Sequence, residues 1–144
     1  MRILADCGNS TVKLALAQDG GVWVQERVAV DAPAFAAFVA RHGGALDAAV
    51  VLPGAQRSAE VFATWWAREG AGKPLLRIGH ELPLPDLGQY PGCGADRIVA
   101  GLAACAQERH DVVVVDAGTA TTLTAWRCTG RGRLLGGLIL PGAQ

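Results

Sequence analysis

The chain has 144 residues, of which 51% are hydrophobic, and its acidic and basic side chains cancel to a formal charge of zero. A length of about one domain with that much apolar material excludes intrinsic disorder. Neutrality removes any general attraction to nucleic acid or to an anionic membrane, and no apolar run approaches bilayer length, so a soluble, cytoplasmic protein is expected.

Residues 2–6 (Arg-Ile-Leu-Ala-Asp) predict a short buried strand that ends in an acid, and Gly8 supplies a turn. Thr11 to Ala17 alternates as a second strand, and Asp19-Gly20-Gly21 is a hairpin signal leading into a third strand over Val22 to Val30. The chain thus opens as an antiparallel meander. Asp31 is a suitable helix N-cap, with Pro33 just inside, and Phe35, Phe38 and Val39 recur at helical spacing before Gly43-Gly44 stops the segment. A short strand over Ala48 to Leu52 follows, then a helix over Ser58 to Glu69 with Val61, Phe62, Trp65 and Trp66 available to one face. Leu75 to Ile78 predicts another strand. Residues 79–93 are rich in Gly and Pro and predict a loop, and Ala95 to Arg109 is Ala-rich and helical.

Asp111 to Asp116 is β-branched throughout its interior and predicts a strand buried on both faces. Thr119 to Arg127 and Leu134 to Leu140 are strand-like, with a turn over Gly130 to Gly132 between them. This second meander repeats the first: ILADCGNST at 3–11 matches VVVDAGTAT at 113–121. The second copy lacks the helices and strands that follow the first. The expected organisation is therefore a first lobe over 1–110 and an incomplete second lobe over 111–144.

The four cysteines, Cys7, Cys93, Cys105 and Cys128, form no Cys-x-x-Cys pair and have no histidine at ligand spacing. Four reduced thiols are expected. Trp23, Trp65, Trp66 and Trp126 read as core or interface residues, and His42, His80 and His110 as isolated surface or loop residues. Arg127, Arg131 and Arg133 read as a solvated hairpin tip.

Asp6-Cys7-Gly8-Asn9-Ser10 places a carboxylate at a strand end, before a turn rich in donors. Backbone N–H groups at such a turn form an anion-binding concavity, and the acid is suited to a hydrated Mg²⁺ that bridges phosphate oxygens. Lys13 leaves the turn where it would neutralise phosphate charge. Taken alone, the segment fits an ordinary hairpin with Asp6 capping its own turn equally well. Asp116-Ala117-Gly118-Thr119 repeats the arrangement, and two such loops imply a clamp on one polyphosphate. No G-x-x-x-x-G-K-[ST] is present, which excludes a P-loop kinase.

Two such loops resemble the phosphate clamp of the actin/hexokinase/Hsp70-like superfamily. Gly94-Ala95-Asp96-Arg97 resembles the G-x-D-R signature of type III pantothenate kinases, and Gly136-Gly137-Leu138-Ile139-Leu140-Pro141-Gly142 that family's G-G-x-I-x-P-G. With DCGNS and DAGTATT, four motifs in order span the chain. The resemblance implies an α/β fold: a ribonuclease-H-like (actin-like) domain with a mixed sheet, and the first strands of a second similar one. It further implies transfer of phosphate from ATP to pantothenate, with Mg²⁺ and K⁺ or NH₄⁺ as cofactors, in a homodimer that binds neither nucleic acid nor membrane.

By the same resemblance, Asp6, Gly8, Asn9, Ser10 and Lys13 belong to the first phosphate loop, Gly118 and Thr119 to the second, and Asp116 to the monovalent cation site. Asp96 is the implied general base toward the pantothenate hydroxyl, and Arg97 binds the pantoate or carboxylate region. Tyr90, Gly94 and Ala95 line the pocket. The family pattern D-x-G-T-A-x-T-x-D places an acid where this chain has Thr124, and its members continue well past the Pro-Gly turn. Two other readings stay open: a non-catalytic regulatory homologue similar to a transcriptional accessory factor, and another small-molecule kinase or a phosphatase of the superfamily.

Overall fold

The computed structural model describes residues 1–142. They form two compact units, Met1–Pro83 and a second from Leu84 on.

The first unit is a five-stranded sheet with two helices. Strands β1 (Arg2–Cys7), β2 (Val12–Gln18) and β3 (Gly21–Val28) form the antiparallel meander, and β4 (Ala48–Leu52) and β5 (Leu75–Arg77) add in parallel, giving the order β3-β2-β1-β4-β5. The β2–β3 turn needs left-handed backbone at both central residues. Asp19 (φ 51°) and Gly20 (φ 80°) supply it, matching the twist of the flanking strands. Helices α1 (Ala32–His42) and α2 (Gln56–Glu69) lie between strands in the chain. Asp31 caps α1 by accepting from the Ala34 N–H at 2.8 Å, which satisfies one of the donors left over at the helix start.

Alternation on the strands fixes which sheet face is covered. Ile3, Ala5 and Cys7 pair with Leu16, Leu14 and Val12, and all six are buried with Ala49 and Val51 against Phe35 and Phe38 of α1 and Phe62, Trp65 and Trp66 of α2. The rings meet edge-on: the Phe35 centroid stands 5.3 Å from Phe62 and 5.6 Å from Trp65. Asp6 and Lys13 alternate to the opposite face. This strand order, with a meander followed by parallel strands and intervening helices, is the ribonuclease-H-like arrangement that the resemblance implies.

The second unit contains α3 (Ala95–Gln107) and the antiparallel sheet β6 (Val112–Ala117), β7 (Ala120–Arg127) and β8 (Arg133–Pro141). Helix α3 was expected to close the first lobe; it packs with β6 and β7, so it belongs to the second compact unit. Ile98 and Leu102 of α3 lie with Val112, Val114, Trp126 and Leu134 in one core.

Three expectations from sequence are corrected. Strand β6 is covered on one face only: Val112 and Val114 face α3, while Val113 and Val115 are 62% and 59% exposed. Cys105 and Cys128 are not free thiols but form a disulfide, since the end of α3 lies over the end of β7 with the two Cα atoms 4.8 Å apart; Cys7 and Cys93 remain free. Trp23 is not a core residue. The β2–β3 register shifts between Leu16 and Ala17, which makes Trp23 the extra residue of a bulge, and it stands 72% exposed.

Candidate active site

The first loop is built on the β1–β2 corner. Asp6 lies opposite Lys13 in the register, and the Lys13 ammonium donates to Asp6 Oδ2 at 3.0 Å with both side chains partly exposed. Of the loop N–H groups, that of Gly8 donates to the Thr11 carbonyl at 3.1 Å, while those of Asn9 and Ser10 have no backbone partner among the described residues. Both residues are exposed, and N–H groups without a backbone partner are what an anion site requires. Gly8 is needed for close approach and not for a special φ: a Cβ there would lie 3.0 Å from the Thr11 oxygen.

The start of α2 holds this corner from behind. The Ala55 N–H donates to the Cys7 carbonyl at 2.6 Å, and the Ser58 hydroxyl donates to the Gly8 carbonyl. A Cβ on Gly54 would lie 2.9 Å from the same Cys7 oxygen. Ser58 is almost fully buried, so its hydroxyl has a structural duty that sequence reading missed. Its partner lies 50 residues away, and no local pattern signals it. Cys7 points into the core beneath the corner. Burial, and behind it the neighbouring Asp6 charge, push its thiol up from 9.0 to about 12.

The second corner repeats the first with one difference. Asp116 pairs with Thr122 as Asp6 pairs with Lys13, and the Gly118 N–H donates to the Ala120 carbonyl at 3.0 Å as Gly8 does to Thr11. The turn is one residue shorter, with 118–120 between the Ala117–Thr121 pair against 8–11 between Cys7–Val12. The residue facing the acid is thereby a threonine, so only the first corner carries its own cation. Asp116, Gly118 and Thr119 are exposed. Gly142 sits on this loop: a Cβ there would overlap the carbonyl oxygens of Gly118 and Thr119.

Tyr90, Gly94, Ala95, Asp96 and Arg97 gather at the start of α3. Gly94 is the N-cap and Asp96 the acid of the first turn, where the helix dipole favours a carboxylate. The Asp96 carboxylate folds back over Gly94, occupying the space that a Cβ would fill. The Arg97 guanidinium donates to the Tyr90 hydroxyl, which ties the preceding loop to the helix. Thr124, at the position where the resemblance leads one to expect an acid, is almost fully buried on the face of β7 that turns toward α3.

No group of three or more His, Cys, Asp or Glu side chains at metal-binding distance occurs among the described residues. Asp6 and Asp116, the exposed or partly exposed carboxylates of the two corners, have the oxygen-donor chemistry that a hydrated Mg²⁺ takes.

The family model for type III pantothenate kinases matches residues 2–144. The chain belongs to the type III pantothenate kinase family. It is 36% identical over 157 residues to the type III pantothenate kinase of Chromobacterium violaceum, and 30% identical over 159 residues to that of Rhizorhabdus wittichii. Each match takes in 99% of this chain and 59% of the relative, so the chain spans about three-fifths of the length of these family members. Among solved structures it is similar to the ethanolamine utilization protein EutJ of Carboxydothermus hydrogenoformans, with a TM-score of 0.52 at 17% identity over 99% of this chain and 52% of that one. That likeness concerns the fold alone, which is of the actin-like ATPase type.

Proposed function

We propose that the chain carries the phosphate-binding and acceptor-binding parts of an ATP-dependent pantothenate kinase, forming 4′-phosphopantothenate in the first step toward coenzyme A. The observation that carries this reading is the family match over residues 2–144, which takes in both carboxylate corners and the Gly94–Arg97 helix start. Phosphoryl transfer asks for positioning and charge neutralisation more than for covalent help, and the residues supply both. Asn9 and Ser10 offer N–H groups, and Lys13 a cation, to the phosphates. Gly118 and Thr119 offer a second exposed loop.

Asp96 takes the proton from the pantothenate hydroxyl as its oxygen forms the new bond to the γ-phosphorus and the bond to the ADP oxygen breaks. Arg97, held by Tyr90, binds the acceptor's carboxylate end. Asp6 is suited to hold Mg²⁺ through water, and Asp116 to contribute to a site for K⁺ or NH₄⁺; bound there, the cations would offset phosphate charge. A homodimer in the cytoplasm is the expected setting. No helix among the described residues is long and apolar enough to cross a membrane.

The test is consumption of pantothenate by the purified protein with ATP, Mg²⁺ and K⁺, with Asp96→Asn abolishing turnover. Normal turnover by that variant removes Asp96 from the base role. One observation favours a second reading, a regulatory homologue without catalysis: the buried Thr124 has no charge to give where the family pattern has an acid. ATP binding without turnover of pantothenate would select it. Turnover of a different acceptor would select another kinase of the superfamily.

A further inference from the structure

Two peptide units of the first corner turn their carbonyls toward the start of α2, and they are held differently. The Cys7–Gly8 unit is fixed at both ends: its carbonyl accepts from the Ala55 N–H at 2.6 Å, and its Gly8 N–H donates to the Thr11 carbonyl at 3.1 Å. The Gly8–Asn9 unit is held at its carbonyl alone, by the Ser58 hydroxyl, and the Asn9 N–H has no partner among the described residues. A trans peptide is planar, with its C=O and N–H pointing in opposite directions, and no cis bond occurs among the described residues. The bond from Ser58 therefore aims the Asn9 N–H away from α2.

The local sequence leaves that aim open. Turning the Gly8–Asn9 plane over changes ψ of Gly8 and φ of Asn9. Glycine has no Cβ to resist the change, and asparagine enters the left-handed region more readily than most residues. In the structure Asn9 lies outside that region. What selects this orientation is the donor behind the loop. Ser58 is only 1% exposed, and its helix is anchored in the first core by Phe62, Trp65 and Trp66, so the hydroxyl is presented from a rigid element.

We propose that Ser58 is a positioning residue for the nucleotide: it locks the Gly8–Asn9 peptide with its N–H outward, so that a phosphate oxygen meets a donor already aimed. This deepens the proposed function and rests on the reading of the corner as a phosphate loop. Without the hydroxyl, the Gly8 carbonyl loses its donor and turns to water, because a partly buried carbonyl left unpaired is costly. The same rotation carries the Asn9 N–H inward. The anion then faces a carbonyl oxygen where it had a donor.

The test compares the ¹⁵N-labelled chain with its Ser58→Ala variant. Residual dipolar couplings report the direction of each N–H. In the variant the Asn9 coupling should change while those of β1 and β2 stay as they were. A non-hydrolysable ATP analogue with Mg²⁺ should shift the Asn9 amide resonance of the unsubstituted chain, and should bind the variant about tenfold more weakly. Should Ser58→Ala fail to fold, Ser58→Cys keeps a similar volume with a weaker donor and should show a smaller change of the same kind in both readouts. A merely structural serine would lower the thermal midpoint and leave the Asn9 coupling in place; that outcome overturns the proposal. So does a changed coupling with unchanged affinity. If the analogue leaves Asn9 unshifted in the unsubstituted chain, the phosphate reading of the corner falls and takes the proposal with it. That failure is told apart by appearing before any substitution is made.

Discussion

Gly101 on α3 lies flat against the indole of Trp126 on β7, so close that a Cβ on the glycine would overlap the six-membered part of the ring. Trp126 is fully buried and is the largest side chain of the second core. The glycine therefore sets how near α3 comes to the sheet, and with it where the helix presents Asp96 and Arg97. Gly101→Ala improves helix propensity but overpacks this contact, and overpacking should win. A loss of about 1–3 kcal/mol is expected, measured by denaturant unfolding followed through Trp126 fluorescence in a background with Trp23, Trp65 and Trp66 replaced by Phe. An unchanged midpoint would show that the ring moves aside freely.

The two free thiols should differ sharply. Cys7 is fully buried with its thiol pushed up to about 12, whereas Cys93 is partly exposed. Iodoacetamide at pH 8 should modify Cys93 in the native protein and leave Cys7 untouched until unfolding. Because the folded-state value lies above the unfolded 9.0, the neutral thiol favours the fold. That contribution is complete below pH 9 and is lost as pH rises toward 12. Cys7→Ala should flatten this alkaline decline, as read from unfolding midpoints at successive pH values.

The Asp6–Lys13 pair is partly exposed, so its contribution to stability should be small, under about 1 kcal/mol. Lys13→Met should barely move the thermal midpoint. On the proposed function it should still weaken ATP binding by about tenfold, because a charge-assisted contact to phosphate is lost. Titration calorimetry with a non-hydrolysable ATP analogue separates the two effects. Unchanged affinity would place the phosphates elsewhere.

Opening the Cys105–Cys128 bridge should loosen the end of α3. It closes a loop of 23 residues, for which the chain-entropy account gives about 3 kcal/mol. Reduction, or Cys105→Ser, should lower the stability of the second unit by that order and speed amide exchange in the last turns of α3. Thiol titration of the unfolded protein under non-reducing conditions should find two free groups; four would remove the bridge.

The parts of the fold that local chemistry dictates were legible in the sequence. The Asp19-Gly20 turn, the Asp31 cap and the alternation of β1 and β2 each follow from residues within a few positions of one another. The pairing of Asp6 with Lys13 was not read from the sequence and came from the strand register. What escaped depends on distant partners. A β-branched run such as Val112 to Val115 looks alike whether one face or both are covered, and Trp23 was hidden by a bulge that no residue type announces. Cys105 and Cys128 meet only because α3 turns back over its own sheet, and Ser58 reaches Gly8 from another element. In the repeat, the likeness of the two corners was visible, but the shorter second turn, and with it the exchange of Lys13 for Thr122, emerged only from strand pairing.

The indoles fall unevenly between the two halves of the molecule. Trp65 and Trp66 are sequestered in the first unit and Trp23 stands in solvent on its bulge, while the second unit has Trp126 alone. With Trp23 replaced by Phe, iodide should quench the native emission far less. With Trp65 and Trp66 replaced by Phe as well, the remaining signal would come from one half only. The protein thus contains its own optical labels for asking whether its halves melt together or in turn.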